Sequence, residues 1–409
     1  MRVERVEKVE RVEKVEKVER GNMGMRKLRM AMVGGGIGAF IGNVHRMAVR
    51  IDGGVELVAG AFDVDAERGR EQGRLLGLDP ARVYDTWQDM VRAEAARPKD
   101  ERIDFVAVCT PNFTHFPISK ACLEAGFNVM CEKPMTLTVE QAEELQALVK
   151  KTGLTFGLMH TYTGYPMVKL ARDLVARGDL GKIAKVVVQY PQGWMRRVDP
   201  KKTTVERLRW RMNPKTSGIS GCMADIGTHA ANLAEYITGL KIREVLAELT
   251  NFVGGALDDD GNVLVHFEKG AKGVLIASQI STGEENGLRI RVYGEKKALA
   301  WRQEDPHFLS VFSPGAPEEK WKRGNPYVAE VSPAAARCNR TPAGHPEAFL
   351  EAFADNYLNF CDTIRAKSER RKPTALELDF PDVLAGVRGM KFVEAVVASQ
   401  KNGNVWTRI

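Results

Sequence analysis

Lysine is a poor residue for a tight strand-to-helix corner, yet Lys133 stands at one, in "VMCEKPMTLT" between Glu132 and Pro134. Proline pushes the residue before it toward extended geometry. Lys133 is therefore expected at the mouth of a crevice, not wound into the next helix. Its ammonium could there hydrogen-bond oxygens of a bound substrate or cofactor. A solvated loop lysine is the plain alternative. Asp225 and His229, in "GCMADIGTHAANLAEYITG", stand four apart on a predicted helix and so share one face. Two ligands at that spacing are also a metal geometry. No third ligand is marked nearby and Lys133 would repel a cation, so no metal is expected.

A second set of residues suggests a phosphate cradle. In "LRMAMVGGGIGAFIGNVHRMAVRI" an apolar strand meets a glycine cluster and then a helical pattern. Gly34, Gly36 and Ala39 fit G-x-G-x-x-[G/A], with Ile37 and Gly38 between them. Such glycines permit a tight turn and let backbone N–H groups approach a pyrophosphate at a helix N-terminus. The next strand, "VELVAGAFD", ends in Asp63. A carboxylate there can accept hydrogen bonds from an adenosine ribose and would repel a 2′-phosphate. NAD is therefore favoured, with NADP as second choice. Asp63 lies 29 residues beyond Gly34, farther than the usual ~20. The alternative is a turn or cap residue before "DAERGREQG".

The elements that must position these residues alternate. "IDFVAVCTPNFTHFPISKACLEAG" reads strand, turn, helix; "FNVMCEKP" is the next strand. "TVEQAEELQALVKKTG" is a helix capped by Thr138, and "LTFGLMHTYTG" is the strand after it. Strands alternating with helices predict a parallel, doubly wound sheet, whose ligands bind at the carboxyl ends of the strands. Those ends carry Gly34 to Gly38, Asp63, Thr110, Pro111, Asn112, His115, Glu132, Lys133, His160 and Tyr162. His115 is expected beside the cofactor and Asn112 near the nicotinamide ribose. His160 and Tyr162 are expected as substrate contacts. "QYPQGWM" and "RLRWRMNPKTSG" add Tyr190, Trp194, Trp210 and Arg211. Aromatic faces and a guanidinium suit a polyhydroxylated ligand, although aromatic core packing explains them equally well.

Taken together, "MVGGGIGAFIGNVH", "VCTPNFTHF", "CEKPMTLT" and "GCMADIGTHAANLAEYITG" resemble the glucose–fructose oxidoreductase, inositol dehydrogenase and rhizopine-catabolism oxidoreductase (Gfo/Idh/MocA) family. They cover roughly Leu28 to Leu240, and "RVYGEKKALAW" fits the family's second domain. The resemblance implies a Rossmann domain followed by a domain with a large, open, mostly antiparallel sheet. It also implies an NAD(P)-dependent dehydrogenase acting on a sugar, an inositol or a related polyol. Lys133 matches the lysine of the family's E-K-P; Asp225 and His229 match its D-x-x-x-H. In that scheme His229 is the base for the hydroxyl proton and Lys133 positions the hydroxyl. Asp225 orients the site. The helix dipole and Asp225 pull His229 in opposite directions, so it is expected to titrate near neutrality. A nucleotide-sensing regulator without turnover and an NAD-dependent glycosidase are the alternatives. The tail and the segment from about Gln303 to Lys372 depart from the family.

Composition bounds the rest. The 409 residues carry a formal net charge of +7 and are 44% hydrophobic. This length suggests two domains: residues 26–155 for the dinucleotide and 156–409 for substrate and oligomerisation. Residues 1–25 hold a charged tail with valine at every third position from Val3 to Val18. Period three gives no fixed apolar face, so a frayed helix or disordered tail is expected. No basic stretch is interleaved with aromatics, so no nucleic-acid partner is expected. No apolar run approaches the roughly 20 residues of a membrane span. Six cysteines without a C-x-x-C pair read as reduced thiols in a cytoplasm. The far face of the second sheet needs cover, which suggests a homo-oligomer, dimer or tetramer.

Overall fold

Two sheets carry the chain, and each arises from a different sequence pattern. The computed structural model describes residues 26–199 and 206–409; the valine-repeat tail lies outside them. The first sheet has five parallel strands: β1 (Leu28–Gly34), β2 (Val55–Ala61), β3 (Phe105–Cys109), β4 (Asn128–Cys131) and β5 (Phe156–Leu158). Met30, Ala31, Met32 and all of β3 are buried. Burial on both faces is why these strands read as continuous apolar runs, not as alternation. Between them run α1 (Phe40–Arg50), α2 (Ala66–Leu75), α3 (Trp87–Ala96), α4 (Asn112–Glu124) and α5 (Val139–Thr152). The Thr138 hydroxyl caps α5, accepting from the Gln141 N–H at 3.3 Å. The strand order is β2-β1-β3-β4-β5. The winding reverses between β1 and β3, so the loops after them diverge and open a crevice at the carboxyl ends.

The second sheet has nine strands: β6 (Ile183–Pro191), β7 (Ile242–Thr250), β8 (Asp260–Phe267), β9 (Lys272–Ser278), β10 (Arg289–Gly294), β11 (Ala298–Arg302), β12 (Phe308–Phe312), β13 (Glu319–Lys322) and β14 (Thr407–Arg408). Their order is β13-β12-β11-β10-β6-β9-β8-β7-β14. All pairings are antiparallel except that of β6 with β9. Here the sequence alternates. Val186, Val188, Val245, Val263, Val265 and Leu275 face inward. They join a core with α6 (Pro166–Ala176), α8 (Thr228–Thr238) and α10 (Val383–Lys401). A further helix, α7 (Glu206–Met212), precedes α8. The residues between face the other way. Leu246, Leu264, Val274 and Val187 pair directly across β7, β8, β9 and β6 and form an apolar row on the open face. Leu264 is 47% exposed.

The segment from Gln303 to Lys372 holds β12, β13 and α9 (Phe349–Ser368). This last helix returns to the first sheet. Phe353, Tyr357 and Phe360 pack with Met30, Phe105 and Met130, and α9 lies against α1. Beyond it the Pro381 carbonyl accepts from the Leu158 N–H at 2.8 Å. The chain therefore does not part cleanly at residue 155. Among the described residues no helix is long and apolar enough to cross a membrane.

Candidate active site

The glycine turn is shaped by close contacts as much as by dihedral angles. Gly34 ends β1 at φ +79°, and a Cβ there would lie 2.5 Å from the Cys109 carbonyl oxygen. A Cβ on Gly36 would lie 2.8 Å from the Phe62 carbonyl oxygen and 3.1 Å from Asp63 Oδ2. Only glycine leaves this wall open. Helix α1 begins behind it with no side-chain cap at Ala39, so its first N–H groups remain available for an anion. Asp63 stands on the same wall. Its Oδ2 accepts from Arg68 Nε at 3.1 Å. Asp65, not Asp63, caps α2 through the Glu67 and Arg68 N–H groups. The cradle fits a dinucleotide on the chemistry of its donors and on the space its glycines leave.

From this turn a cavity of about 1190 Å³ runs past Glu132 and Lys133 to Asp225 and His229. The Lys133–Pro134 peptide bond is cis. Lys133 Nζ donates to Asp225 Oδ1 at 2.6 Å and to the Asp225 carbonyl at 2.9 Å. Asp225 lies in a π turn (Met223–Gly227) that leads into α8. The Asp258 carboxylate holds the entry to that turn, accepting from the Gly221 and Met223 N–H groups at 2.9 Å each. The second oxygen of Asp225 accepts from Gln279 Nε2 at 2.8 Å and from Arg211 Nη1 at 3.1 Å. Burial pushes the Asp225 carboxyl up, but Lys133 and Arg211 outweigh it and hold it well below the usual range.

His229 differs from the expectation. Among the described residues no hydrogen bond joins it to Asp225, whose oxygens are taken by cations and an amide. Instead His229 Nδ1 lies 3.1 Å from His160 Nδ1, and the Tyr162 ring meets it edge-on at 4.9 Å. Burial, then Lys133, then His160 push its pKa well below 6.5. It is held neutral, not poised near neutrality, because burial and the Lys133 charge disfavour the imidazolium and no carboxylate among the described residues bonds to it.

Two other histidines are corrected. His160 does not line the cavity; it sits behind His229, lowered to about 3 by burial and by Lys133. His115 faces away from the cofactor space as well. Its Nδ1 lies 2.7 Å from the Pro134 carbonyl and its Nε2 2.8 Å from the Thr110 carbonyl, so it ties two strand-end loops together. Thr110, Pro111, Asn112, Glu132, Tyr162, Tyr190, Trp210 and Arg211 do line the cavity. The Arg211 guanidinium also stacks 4.9 Å from the Trp210 ring centre. Tyr162 and Tyr190 join hydroxyl to hydroxyl. Asn286 accepts from Tyr190 at 2.7 Å and from Gln192 at 2.9 Å. Gln192, Gln279 and Asn286 were not anticipated. For Gln192 and Gln279 the signal is only a polar residue just past a strand end, and for Asn286 a polar residue in the loop before β10.

Known proteins match this arrangement along most of the chain. The model described as an oxidoreductase family with an NAD-binding Rossmann fold matches residues 28–160, and the GFO/IDH/MocA C-terminal domain model matches residues 168–300. The uncharacterized oxidoreductase YfiI of Bacillus subtilis (strain 168) is 37% identical over 93% of this chain and 96% of its own. Levoglucosan dehydrogenase of Pseudarthrobacter phenanthrenivorans is 26% identical over 70% of this chain and 76% of its own. The crystal structure of an inositol dehydrogenase homolog complexed with NAD+ from Azotobacter vinelandii superposes with a TM-score of 0.90. It is 36% identical and covers 95% of this chain and 99% of that one. The chain thus belongs to the Gfo/Idh/MocA family of oxidoreductases and carries its NAD-binding Rossmann fold.

Proposed function

We propose that the protein is an NAD-dependent dehydrogenase of an uncharged sugar, inositol or related polyol, acting at a secondary hydroxyl. The observation that carries this reading is the convergence of Lys133, Asp225 and His229 on one cavity continuous with the glycine cradle. NAD, held by Gly34, Gly36, Gly38 and Asp63, supplies the hydride acceptor when bound.

The residues of the chain handle the proton. With its Nδ1 engaged by His160, His229 offers Nε2 to the cavity and takes the hydroxyl proton there. Lys133 donates to the hydroxyl oxygen and stabilises the negative charge that develops on it. Asp225 holds Lys133 in reach. Tyr162, Tyr190, Gln192 and Asn286 offer neutral donors and acceptors for further hydroxyls. Among the described residues the cations of the cavity, Lys133 and Arg211, both pair with Asp225. A phosphate or carboxylate on the substrate would meet no spare positive charge among the described residues, which supports an uncharged class. The names of two relatives, an inositol dehydrogenase homolog and a levoglucosan dehydrogenase, support it. The open apolar row of Leu246, Leu264, Val274 and Val187 is covered by a second copy of the chain.

The test is a panel of inositols, aldoses, anhydrosugars and sugar phosphates, followed by reduced-cofactor absorbance with NAD and NADP separately. Turnover of a neutral polyol is expected. A protein that binds NADH but oxidises none of them would be a nucleotide sensor, and one preferring sugar phosphates would overturn the charge argument.

A further inference from the structure

Glu132 opens the Glu-Lys-Pro corner and has no role in the proton transfer, yet its carboxylate is heavily engaged. It is 7% exposed. Its Oε2 accepts from the Lys133 backbone N–H at 3.1 Å. Its Oε1 lies 2.9 Å from His45 Nε2. His45 is completely buried in α1, and its Nδ1 lies 2.6 Å from the Tyr357 hydroxyl. Tyr357 belongs to α9, far away in the sequence, and meets the His45 ring edge-on at 5.6 Å. The hydrogen-bond roles follow from the acceptors. Only donation from Nε2 suits a carboxylate, and in the neutral imidazole Nδ1 then accepts from the tyrosine hydroxyl. Three elements thus meet in one chain of bonds that ends on the backbone N–H of the proposed catalytic lysine.

We propose that His45 and Tyr357 are positioning residues: the chain Tyr357–His45–Glu132 fixes the backbone at Lys133 and thereby aims its ammonium at the substrate oxygen. This rests on the role given to Lys133 above. Burial pushes the Glu132 carboxyl up, and the His45 hydrogen bond does most to bring it below its ordinary value. Without His45 the carboxylate would be buried with no side-chain donor, an arrangement that proteins avoid. It would turn away or take a proton, and the Lys133 N–H would lose its acceptor. A catalytic group displaced by about an ångström costs on the order of a hundredfold in rate.

The test compares Tyr357→Phe, His45→Leu and His45→Gln in the full chain. Glutamine carries an amide nitrogen near the place of Nε2 and can still donate to Glu132. His45→Leu is expected to lower kcat by about 100-fold and Tyr357→Phe by about 10-fold. His45→Gln should recover most of the loss, and KM for the polyol should move less than kcat. Tyr357→Phe keeps the ring packing, so it decides the matter if His45→Leu does not fold. Wild-type kcat in Tyr357→Phe overturns the proposal. So does a His45→Gln enzyme no better than His45→Leu. NADH affinity, read by fluorescence, is the arm independent of any sugar. It should weaken in His45→Leu and recover in His45→Gln even if no polyol is oxidised. Unchanged affinity in all three variants, in a protein without polyol turnover, would overturn the proposal along with the proposed function.

Discussion

The Nδ1 atoms of His160 and His229 lie 3.1 Å apart, and only one can carry the proton between them. If His229 is the donor, its Nε2 is basic and serves the cavity. Because its pKa is pushed well below 6.5, His229 is unprotonated and competent throughout the neutral range. The expected kcat/KM profile is flat near neutrality and falls only well below pH ~6.5. His229→Ala and Lys133→Ala should each lower kcat by about 10²–10⁴-fold. The double variant should lose far less than the product, since both act on one proton transfer. Wild-type kcat in His229→Ala would remove it from the mechanism.

The same burial predicts how stability depends on pH. His160 has a folded pKa of about 3 against about 6.5 in the unfolded chain. The unfolded chain therefore binds more protons in this window, so the stability is whole above pH ~6.5 and is lost as pH falls toward 3. His160→Gln should flatten this dependence relative to wild type in thermal melts at pH 7.5 and 5. Parallel melting curves for the two proteins would show that His160 is not held neutral.

Cofactor choice should turn on Asp63, whose Oδ2 engages Arg68 at 3.1 Å. Val64 beside it is fully exposed. Asp63→Ser with Val64→Arg removes the charge that repels a 2′-phosphate and adds one that attracts it. The kcat/KM ratio for NAD over NADP is expected to fall by at least ~10-fold, worth about 1.4 kcal/mol. A wild-type enzyme already faster with NADP would contradict the role of Asp63.

The open sheet face makes a separate prediction. Leu264 lies in the row with Leu246, Val274 and Val187. Leu264→Arg should lower the molar mass measured by light scattering while leaving the fold intact by circular dichroism. An unchanged mass would place the subunit contact elsewhere or show a monomer.

What was legible in the sequence was local. The glycine turn, Asp63, Lys133 and the alternation of strands and helices each depend on neighbours a few residues away. The aspartate and histidine of the π turn and α8 were legible as a pair, but not their partners. Asp225 turns to Lys133, 92 positions away, and not to His229. His160 follows a buried strand, and an apolar run does not say which side of the next residue faces a cavity. Gln279 and Asn286 come from the loop between β9 and β10, and strand alternation does not say which loop meets the crevice. Tyr357 meets His45 across 312 positions, beyond any periodic signal.

The return of α9 (Phe349–Ser368) to the first sheet has a consequence for synthesis. A chain emerging from the ribosome makes β1 to β5 early but lacks Phe353, Tyr357 and Phe360, which cover Met30, Phe105 and Met130. At roughly 5–20 residues per second, that apolar surface waits on the order of ten seconds or more for its cover. The nucleotide-binding half therefore matures only after nearly the whole protein has been translated. A nascent chain stalled before residue 349 should be held by chaperones and be sensitive to protease, whereas one that also carries α10 (Val383–Lys401), which completes both cores, should not.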